Sequence, residues 1–262
     1  MNIGIIGAGA IGSFVRRELG QRGFVVRALL VRPEKIPETI PEDSPFLATS
    51  AGELPDDVDQ VIDCAGHSAL REYGADILRR GIDLTTVSIG ALADDALYEE
   101  LEAAARDGGA TLTLASGAIG ALDCLRAARV GELHEVTYIG RKPPASWKGS
   151  PAESRVDLDS LVDDEAVHFE GSARKAAIDY PKNANVAAAV ALAGVGFDRT
   201  RVKLVADPGV SENIHELEVV GEFGRFSFEI RGNSLPDNPK SSALAAMSAV
   251  SALEEAKALI RF

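Results

Sequence analysis

Short apolar runs and longer amphipathic segments alternate along the first 115 residues. The apolar runs are typical of buried strands, and apolar positions spaced three or four apart are typical of helices. Strands that alternate with helices predict an α/β fold, a doubly wound parallel sheet with both faces covered. The predicted strands are 2–6, 24–31, 59–65, 83–88 and 111–115, and the predicted helices are 11–19, 69–80 and 95–106.

The pattern changes after about residue 121, where apolar and polar residues alternate as in strands with one solvated face. This predicts a second, α+β domain with a mostly antiparallel sheet. We expect the parallel-sheet domain to span 1–120 and the second domain to span 121–238. A C-terminal helix within 239–262 is expected to pack back on the first domain. The predicted strands are 132–141, 166–172, 201–207, 213–221 and 225–231, and the predicted helices are 185–193 and 241–260, the last with Leu244, Met247, Val250, Leu253 and Ile260 on its apolar side.

Composition and charge narrow the class of protein. The 262 residues are 46% hydrophobic, which fits a globular chain with a core. The formal net charge of −13 argues against a nucleic-acid surface or an anionic membrane surface, both of which require basic residues. Cys64 and Cys124 lack metal-ligand spacing and are interpreted as thiols of a reducing, cytoplasmic compartment.

A glycine-rich turn follows the first predicted strand and opens the first predicted helix. Gly7, Gly9 and Gly12 occupy the positions of a G-x-G-x-x-G fingerprint, with Ala10 and Ile11 between them. In such a turn the glycines allow tight reversal, approach of a pyrophosphate, and close packing of helix on strand. The helix N-terminus then favours the anion. The sequence therefore predicts a Rossmann-type domain that binds NAD or NADP with these five residues.

The second predicted strand lacks the acidic residue that usually binds the adenosine ribose of NAD. The strand ends in Val31 and Arg32 instead. Arg32 would suit the 2′-phosphate of NADP, whereas Glu34 would suit NAD. A solvated arginine at a strand end is the alternative, so the sequence leaves the choice of cofactor open.

Three further loops follow predicted strands on the side where parallel sheets bind ligands. Ala65 ends the third strand and Gly66 follows it, Ser88 ends the fourth, and Ala118 lies between two glycines after the fifth. We expect all four to contact the cofactor. The neighbouring His67 is interpreted as a helix cap rather than a ligand.

Asn213 and His215 are two residues apart in a predicted strand, so they share a face with the apolar residues beyond them. Histidine is the side chain best suited to proton transfer near neutral pH, and these two residues are candidates for catalysis. A hydrogen-bonded core histidine is the alternative. His134 and His168 lie in plain strand patterns without accompanying polar groups.

The segment before the alanine-rich helix carries further polar candidates. Lys182 could pair with a substrate carboxylate or act as a base, and Asn185 could hold the carboxamide of nicotinamide. Asn183 is a candidate helix cap, and Arg141 and Lys142 are additional cations, each with a solvated surface position as the alternative. No zinc ligand set, Ser/His/Asp arrangement or Walker loop stands out, so no metal is predicted.

These segments together resemble the L-aspartate dehydrogenase family, and the resemblance covers nearly the whole chain. Homoserine dehydrogenases and dihydrodipicolinate reductases are similar in architecture but lack this set of segments. The matching stretches are GAGAIG, DCAGH, VSIGALAD, SGAIGALD, GRKPP, YPKNANVAAAVALAG, ADPGVSENIH and NPKSS.

The resemblance implies an NAD- or NADP-dependent oxidative deamination of L-aspartate, with His215 as the catalytic histidine and Ala118 and Asn185 as cofactor contacts. It also implies a homodimer, and a link to pyridine nucleotide biosynthesis is expected. Two alternatives stay open. One is another amino-acid or semialdehyde oxidoreductase of the same architecture, and the other is a non-catalytic dinucleotide-binding regulator.

Overall fold

The computed structural model describes residues 1–39, 44–181, 184–236 and 238–260, with the backbone alone at 239 and 240. The chain divides into two compact units, Met1–Ala115 with Ala246–Phe262 and Ser116–Ala245. Among the described residues, no helix combines the length and apolar character needed to cross a bilayer.

The first unit is built on a six-stranded sheet in the order β3-β2-β1-β4-β5-β6, in which all pairings are parallel. This is the strand order of the classic dinucleotide-binding fold, whose direction reverses between β1 and β4. The strands are β1 (Asn2–Ile6), β2 (Val25–Leu30), β3 (Phe46–Ala48), β4 (Gln60–Asp63), β5 (Asp83–Thr86) and β6 (Leu112–Leu114). The helices are α1 (Ala10–Gln21), α2 (His67–Arg79) and α3 (Asp95–Gly108), with α7 (Ala243–Lys257) from the end of the chain.

Local sequence accounts for the ends of these helices. The Asp94 carboxylate accepts the backbone N–H groups of Ala96 and Leu97 at the start of α3, and Gly109 ends it with φ of 65°. The helix α2 begins differently from the prediction, because Gly66 is its N-cap and His67 is its first residue.

The C-terminal helix α7 contributes small side chains to the core of the first unit. Ala249, Val250 and Leu253 pack in one cluster with residues of β1, β2 and α1. The predicted apolar side is wrong at Met247, which is 51% exposed, and at Ile260, which is 91% exposed and lies beyond the helix. The buried side is alanine-rich, and alanine contributes little to a hydrophobic periodicity.

The second unit contains a mixed five-stranded sheet in the order β11-β10-β7-β9-β8, with only the β7–β9 pairing parallel. A two-stranded ribbon, β12-β13, accompanies it. The strands are β7 (Leu133–Lys142), β8 (Ala166–Ser172), β9 (Arg201–Ala206), β10 (Asn213–Gly221), β11 (Gly224–Gly232), β12 (Ser234–Leu235) and β13 (Asn238–Ser242), and the helices are α4 (Leu122–Ala128), α5 (Ala173–Asp179) and α6 (Asn185–Ala193).

Candidate active site

The glycine turn between β1 and α1 has the geometry that a dinucleotide requires. A Cβ on Gly12 would lie 2.1 Å from the carbonyl oxygen of Gly7, and a Cβ on Gly7 would lie 2.8 Å from the Cβ of Ala65. Gly7 also has φ of +92°. Among the described residues no heavy atom lies within 4 Å of a Cβ built on Gly9. Two glycines therefore permit close packing, and the third leaves an open approach at the start of α1, as the fingerprint predicts.

A cavity of about 540 Å³ opens on this turn. Its size is that of a site for a small organic molecule. It is lined by Ile6, Gly7, Ala8, Gly9, Leu30, Val31, Arg32, Lys35, Cys64, Ala65, Ser68, Ala69, Glu72 and Tyr73. The predicted contacts Gly7, Gly9, Arg32 and Ala65 are among these residues, whereas Ala10, Ile11 and Gly12 follow directly as the first turn of α1.

Two cations, Arg32 and Lys35, are among the residues that line the cavity. The Arg32 side chain is 69% exposed, and its Nε lies 3.5 Å from a Glu34 carboxylate oxygen. Val31, at the position where an acidic residue is common, is buried. The cavity therefore offers an exposed cation rather than a carboxylate where the adenosine ribose would bind.

Asp63, at the end of β4, is fully buried and was not identified from the sequence. One of its carboxylate oxygens accepts the backbone N–H of Ala65 at 2.9 Å. The other accepts the hydroxyls of Thr86 at 2.8 Å and Ser88 at 2.5 Å. Burial raises the pKa of Asp63, and the hydrogen bonds from Ser88, the Ala65 and Gly66 backbone and Thr86 oppose that rise. Asp63 thus forms hydrogen bonds with both of the loops that follow β4 and β5.

The structure changes the interpretation of one predicted cofactor contact, Ser88, and leaves that of another, Gly66, unchanged. The Ser88 side chain is buried and its hydroxyl donates to Asp63, so the hydroxyl already has a protein partner. Gly66 has φ of +102°, and among the described residues nothing lies within 4 Å of a Cβ built on it. Gly66 therefore leaves space at the N-terminus of α2, as it does in the predicted role.

In the second unit, His215 lies on β10 and is only 5% exposed. Its Nδ1 is hydrogen-bonded to the Tyr138 hydroxyl at 2.8 Å. Burial raises the pKa of Tyr138, so this phenol stays protonated at neutral pH. The bond fixes the plane of the imidazole and leaves Nε2 as the ring nitrogen that can meet a substrate.

Gly140 makes this pair possible. In the pairing of β10 with β7, His215 lies opposite Gly140 and Leu217 lies opposite Tyr138. A Cβ on residue 140 would come within 2.7 Å of the Tyr138 hydroxyl oxygen and 3.2 Å of Leu204. Because Gly140 has no side chain, the Tyr138 hydroxyl has room to reach His215.

His215 is held in its neutral form. Burial, together with a smaller effect of the positive charge of Lys142, lowers its pKa to about 3. A neutral imidazole can accept a proton, but a low pKa makes it a weak base. A negative charge placed near Lys142 would oppose the second of these two effects.

His168 is a second buried histidine; it lies in strand β8 as expected, but the expectation that no polar group accompanies it is wrong. Its Nδ1 is 3.1 Å from the Tyr180 hydroxyl, and its ring packs edge-on against Trp147 at 4.3 Å between centroids. Among the described residues its Nε2 has no hydrogen-bond partner. Burial, together with smaller effects of the Arg155 and Lys142 charges, lowers its pKa to about 4.

The remaining predicted residues are placed as follows. Asn213 begins β10 and is partly exposed, on the same face as His215. Ala118 is buried and follows Gly117, which has φ of +72°. Asn185 is the first residue of α6. Lys182 and the predicted cap Asn183 lie outside the described residues.

Comparison with known proteins agrees with this geometry. A sequence model described as "Homoserine dehydrogenase, NAD binding domain" matches residues 7–115. A second one, described as "Aspartate dehydrogenase, C-terminal", matches residues 123–256. The fold and the glycine turn thus define an oxidoreductase that uses NAD or NADP.

Curated relatives match along the whole chain. L-aspartate dehydrogenase of Ruegeria pomeroyi is 50% identical over 261 residues, covering 100% of this chain and 94% of the relative. L-aspartate dehydrogenase of Cupriavidus necator is 49% identical, covering 97% of this chain and 96% of the relative. The crystal structure of aspartate dehydrogenase from Thermotoga maritima matches with a TM-score of 0.78 at 28% identity, covering 100% of this chain and 99% of the other. The chain belongs to the aspartate dehydrogenase family.

Proposed function

We propose that this protein catalyses the NAD- or NADP-dependent oxidative deamination of L-aspartate. The observation that carries the proposal is the buried Tyr138–His215 pair, at 2.8 Å, in a chain of this family. The pair supplies an oriented neutral imidazole, which is a group able to remove a proton from an amine or a water.

The cofactor is proposed to bind to the glycine turn and the loops that follow the parallel strands. Gly7, Gly9 and Gly12, with Ala10 and Ile11, would hold the pyrophosphate at the start of α1. When bound, NAD or NADP accepts a hydride from the substrate Cα. The loop residues Ala65, Gly66 and Ser88, together with Ala118 and Asn185 by resemblance to the family, are proposed to orient the nicotinamide half.

His215 is proposed to accept a proton from the substrate amine and then to assist attack by water. Asn213 would orient the substrate, and Lys182 is proposed to pair with a substrate carboxylate. Loss of hydride and one proton converts L-aspartate to iminoaspartate. Addition of water and loss of ammonia then give oxaloacetate, so all atoms are accounted for.

The biological setting is proposed from the same chemistry. Iminoaspartate that escapes hydrolysis is a reactive precursor that a condensing enzyme could consume in pyridine nucleotide biosynthesis. The two free cysteines, Cys64 and Cys124, fit a reducing, cytoplasmic compartment. A homodimer is proposed from the resemblance to the family.

The first experiment measures reduction of NAD and NADP with a panel of L-amino acids, followed by absorbance of the reduced nicotinamide. Selective reduction with L-aspartate supports the proposal. Selective reduction with a different amino acid or a semialdehyde would favour another oxidoreductase of this architecture. Cofactor binding without turnover in either direction would favour a regulator.

A pair of variants tests the role of His215. His215→Ala is expected to lower kcat by about 100-fold or more, the usual contribution of a general base, while the Kd of the cofactor stays unchanged. His134→Ala is the matched control, since His134 is an exposed histidine in β7 with 49% side-chain exposure. Unchanged turnover in His215→Ala would refute the assignment.

A further inference from the structure

Lys142 is the last residue of β7 and lies at the same end of the sheet as His215. The β10–β7 pairing sets His215 opposite Gly140 and ends with Ile214 opposite Arg141. The next residues along the two strands are Asn213 and Lys142. Because side chains alternate along a strand and directly opposed residues share a face, Lys142, Asn213 and His215 all lie on one face.

The neighbouring cation, Arg141, lies on the opposite face. Its guanidinium is 2.8 Å from Asp207 and 3.4 Å from Glu216, and it also pairs with Glu165. The protein itself supplies the carboxylates that this arginine binds. Arg141 is therefore a structural cation, and of the two cations considered from the sequence, Lys142 is the one beside His215.

Lys142 is partly buried and lies beside an aromatic ring. Its ammonium nitrogen lies 5.1 Å from the ring centre of Trp147, which is buried and donates its indole N–H to the Val205 carbonyl at 3.0 Å. Burial lowers the pKa of Lys142 to about 8. Its charge acts on both buried histidines, since it lowers the pKa of His215 and that of His168. A cation in such a place attracts an anion more strongly than one in water does.

We propose that Lys142 binds a carboxylate of the amino-acid substrate beside His215. This inference rests on the proposed function and deepens it, because it identifies a residue that binds a carboxylate of the substrate. The bound carboxylate also offsets the effect of Lys142 on the imidazole. His215 then becomes a better base when substrate is present than when the site holds none.

Two variants of Lys142 and one control test the proposal. Lys142→Met removes the charge and keeps the length of the side chain, and Lys142→Arg keeps the charge. Lys203→Met is the matched control, because Lys203 lies on β9 opposite Ile139, on the other face of the same sheet. The Lys203 side chain is 42% exposed, 3.8 Å from Glu170.

The readouts are KM and kcat for L-aspartate, the Kd of the cofactor, and the Kd of succinate measured by calorimetry with cofactor present. Lys142→Met is expected to raise the KM for aspartate and the Kd of succinate about 10- to 100-fold, the usual loss for a hydrogen bond to a charged group. The Kd of the cofactor should change less than about twofold, because Lys142 is not proposed to contact the cofactor and independent sites couple weakly. Lys142→Arg should recover part of the loss.

Comparison with L-asparagine identifies the carboxylate. A loss confined to aspartate assigns Lys142 to the side-chain carboxylate, and an equal loss for both substrates assigns it to the α-carboxylate. Unchanged aspartate KM and succinate Kd in Lys142→Met, or an equal loss in Lys203→Met, would overturn the proposal. If Lys142→Met does not fold, Lys142→Gln takes its place, since its amide keeps a polar head.

The succinate titration separates this inference from the proposed function. If the unmodified protein does not oxidise L-aspartate, the proposed reaction is wrong. Lys142 is then judged by succinate binding alone. Tight succinate binding that depends on Lys142 would keep the carboxylate site and leave its reaction to be found.

Discussion

Replacing His168 and Tyr180 together by phenylalanine is expected to make the fold less sensitive to acid. The pKa of His168 is lowered from 6.5 to about 4, mainly by burial. Between those pH values the unfolded chain binds a proton that the folded chain does not bind. The free energy of unfolding is therefore unaffected by His168 above about pH 6.5, and it falls as the pH drops from there towards 4.

The size of the effect follows from the shift. One pKa unit corresponds to about 1.4 kcal/mol, so His168 costs roughly 3 kcal/mol once the pH is below both values. Near pH 5.5 the expected cost is about 1.4 kcal/mol. The double substitution removes both polar partners and fills the same space. At higher pH it is therefore expected to leave the free energy of unfolding nearly unchanged or to raise it. It also removes the buried Nε2 that has no partner among the described residues.

The assay is urea unfolding near pH 7.5 and near pH 5.5, which stays above the sequence pI of 4.8. Between the two conditions the double variant should lose about 1.4 kcal/mol less than the unmodified protein. His215 is present in both proteins, so its own contribution cancels. His134→Gln is the control and should follow the unmodified protein, because His134 is exposed. Equal losses in the double variant and the unmodified protein would refute the reasoning.

Three further predictions concern the first unit. Gly12→Ala should weaken cofactor binding at least tenfold and lower the free energy of unfolding by about 1–3 kcal/mol through overpacking, whereas Gly20→Ala in the same helix should do neither. Both are measured by cofactor titration and urea unfolding, and cofactor binding by Gly12→Ala equal to that of the unmodified protein would contradict the packing argument. Asp63→Asn should lower the free energy of unfolding by about 1–3 kcal/mol and weaken cofactor binding, because the amide can place a donor where two hydroxyls donate. The control Asp76→Asn, at an exposed site, should do neither. Arg32→Ala should raise the KM for NADP about tenfold and leave that for NAD unchanged if the guanidinium meets a phosphate, whereas equal changes would exclude this role.

The parallel sheet of the first unit could be predicted because its strands are apolar runs that turn and loop residues bound on both sides. β1 and the glycine turn match the prediction, and β2, β4, β5 and β6 match within a few residues. The prediction missed β3, since Phe46–Ala48 has only three residues and gives no periodicity. The helices α4 and α5 were also missed, because seven residues span fewer than two full turns of apolar repeat.

The candidate site could be predicted only where polar residues share a strand face. His215 stood out because Asn213 accompanies it in the chain. Its partner Tyr138 is 77 residues away, and only the pairing of β7 with β10 brings the two together. The burial of His168 was not predicted for another reason. The strand β8 has a bulge there, and two consecutive residues, His168 and Phe169, are both buried. Strict alternation would have turned one of them outward.

The two buried imidazoles also link the working conditions of the protein to its folding. His215 and His168 are both neutral in the folded second unit, and protonation of either opposes that fold. Acid therefore destabilises the folded unit through both imidazoles as the pH falls below about 6.5, well above the pH near 3 at which the base itself is protonated in the fold. Selection for activity in a more acidic medium would have to rebuild the interior of the unit, because surface changes leave this shared limit in place.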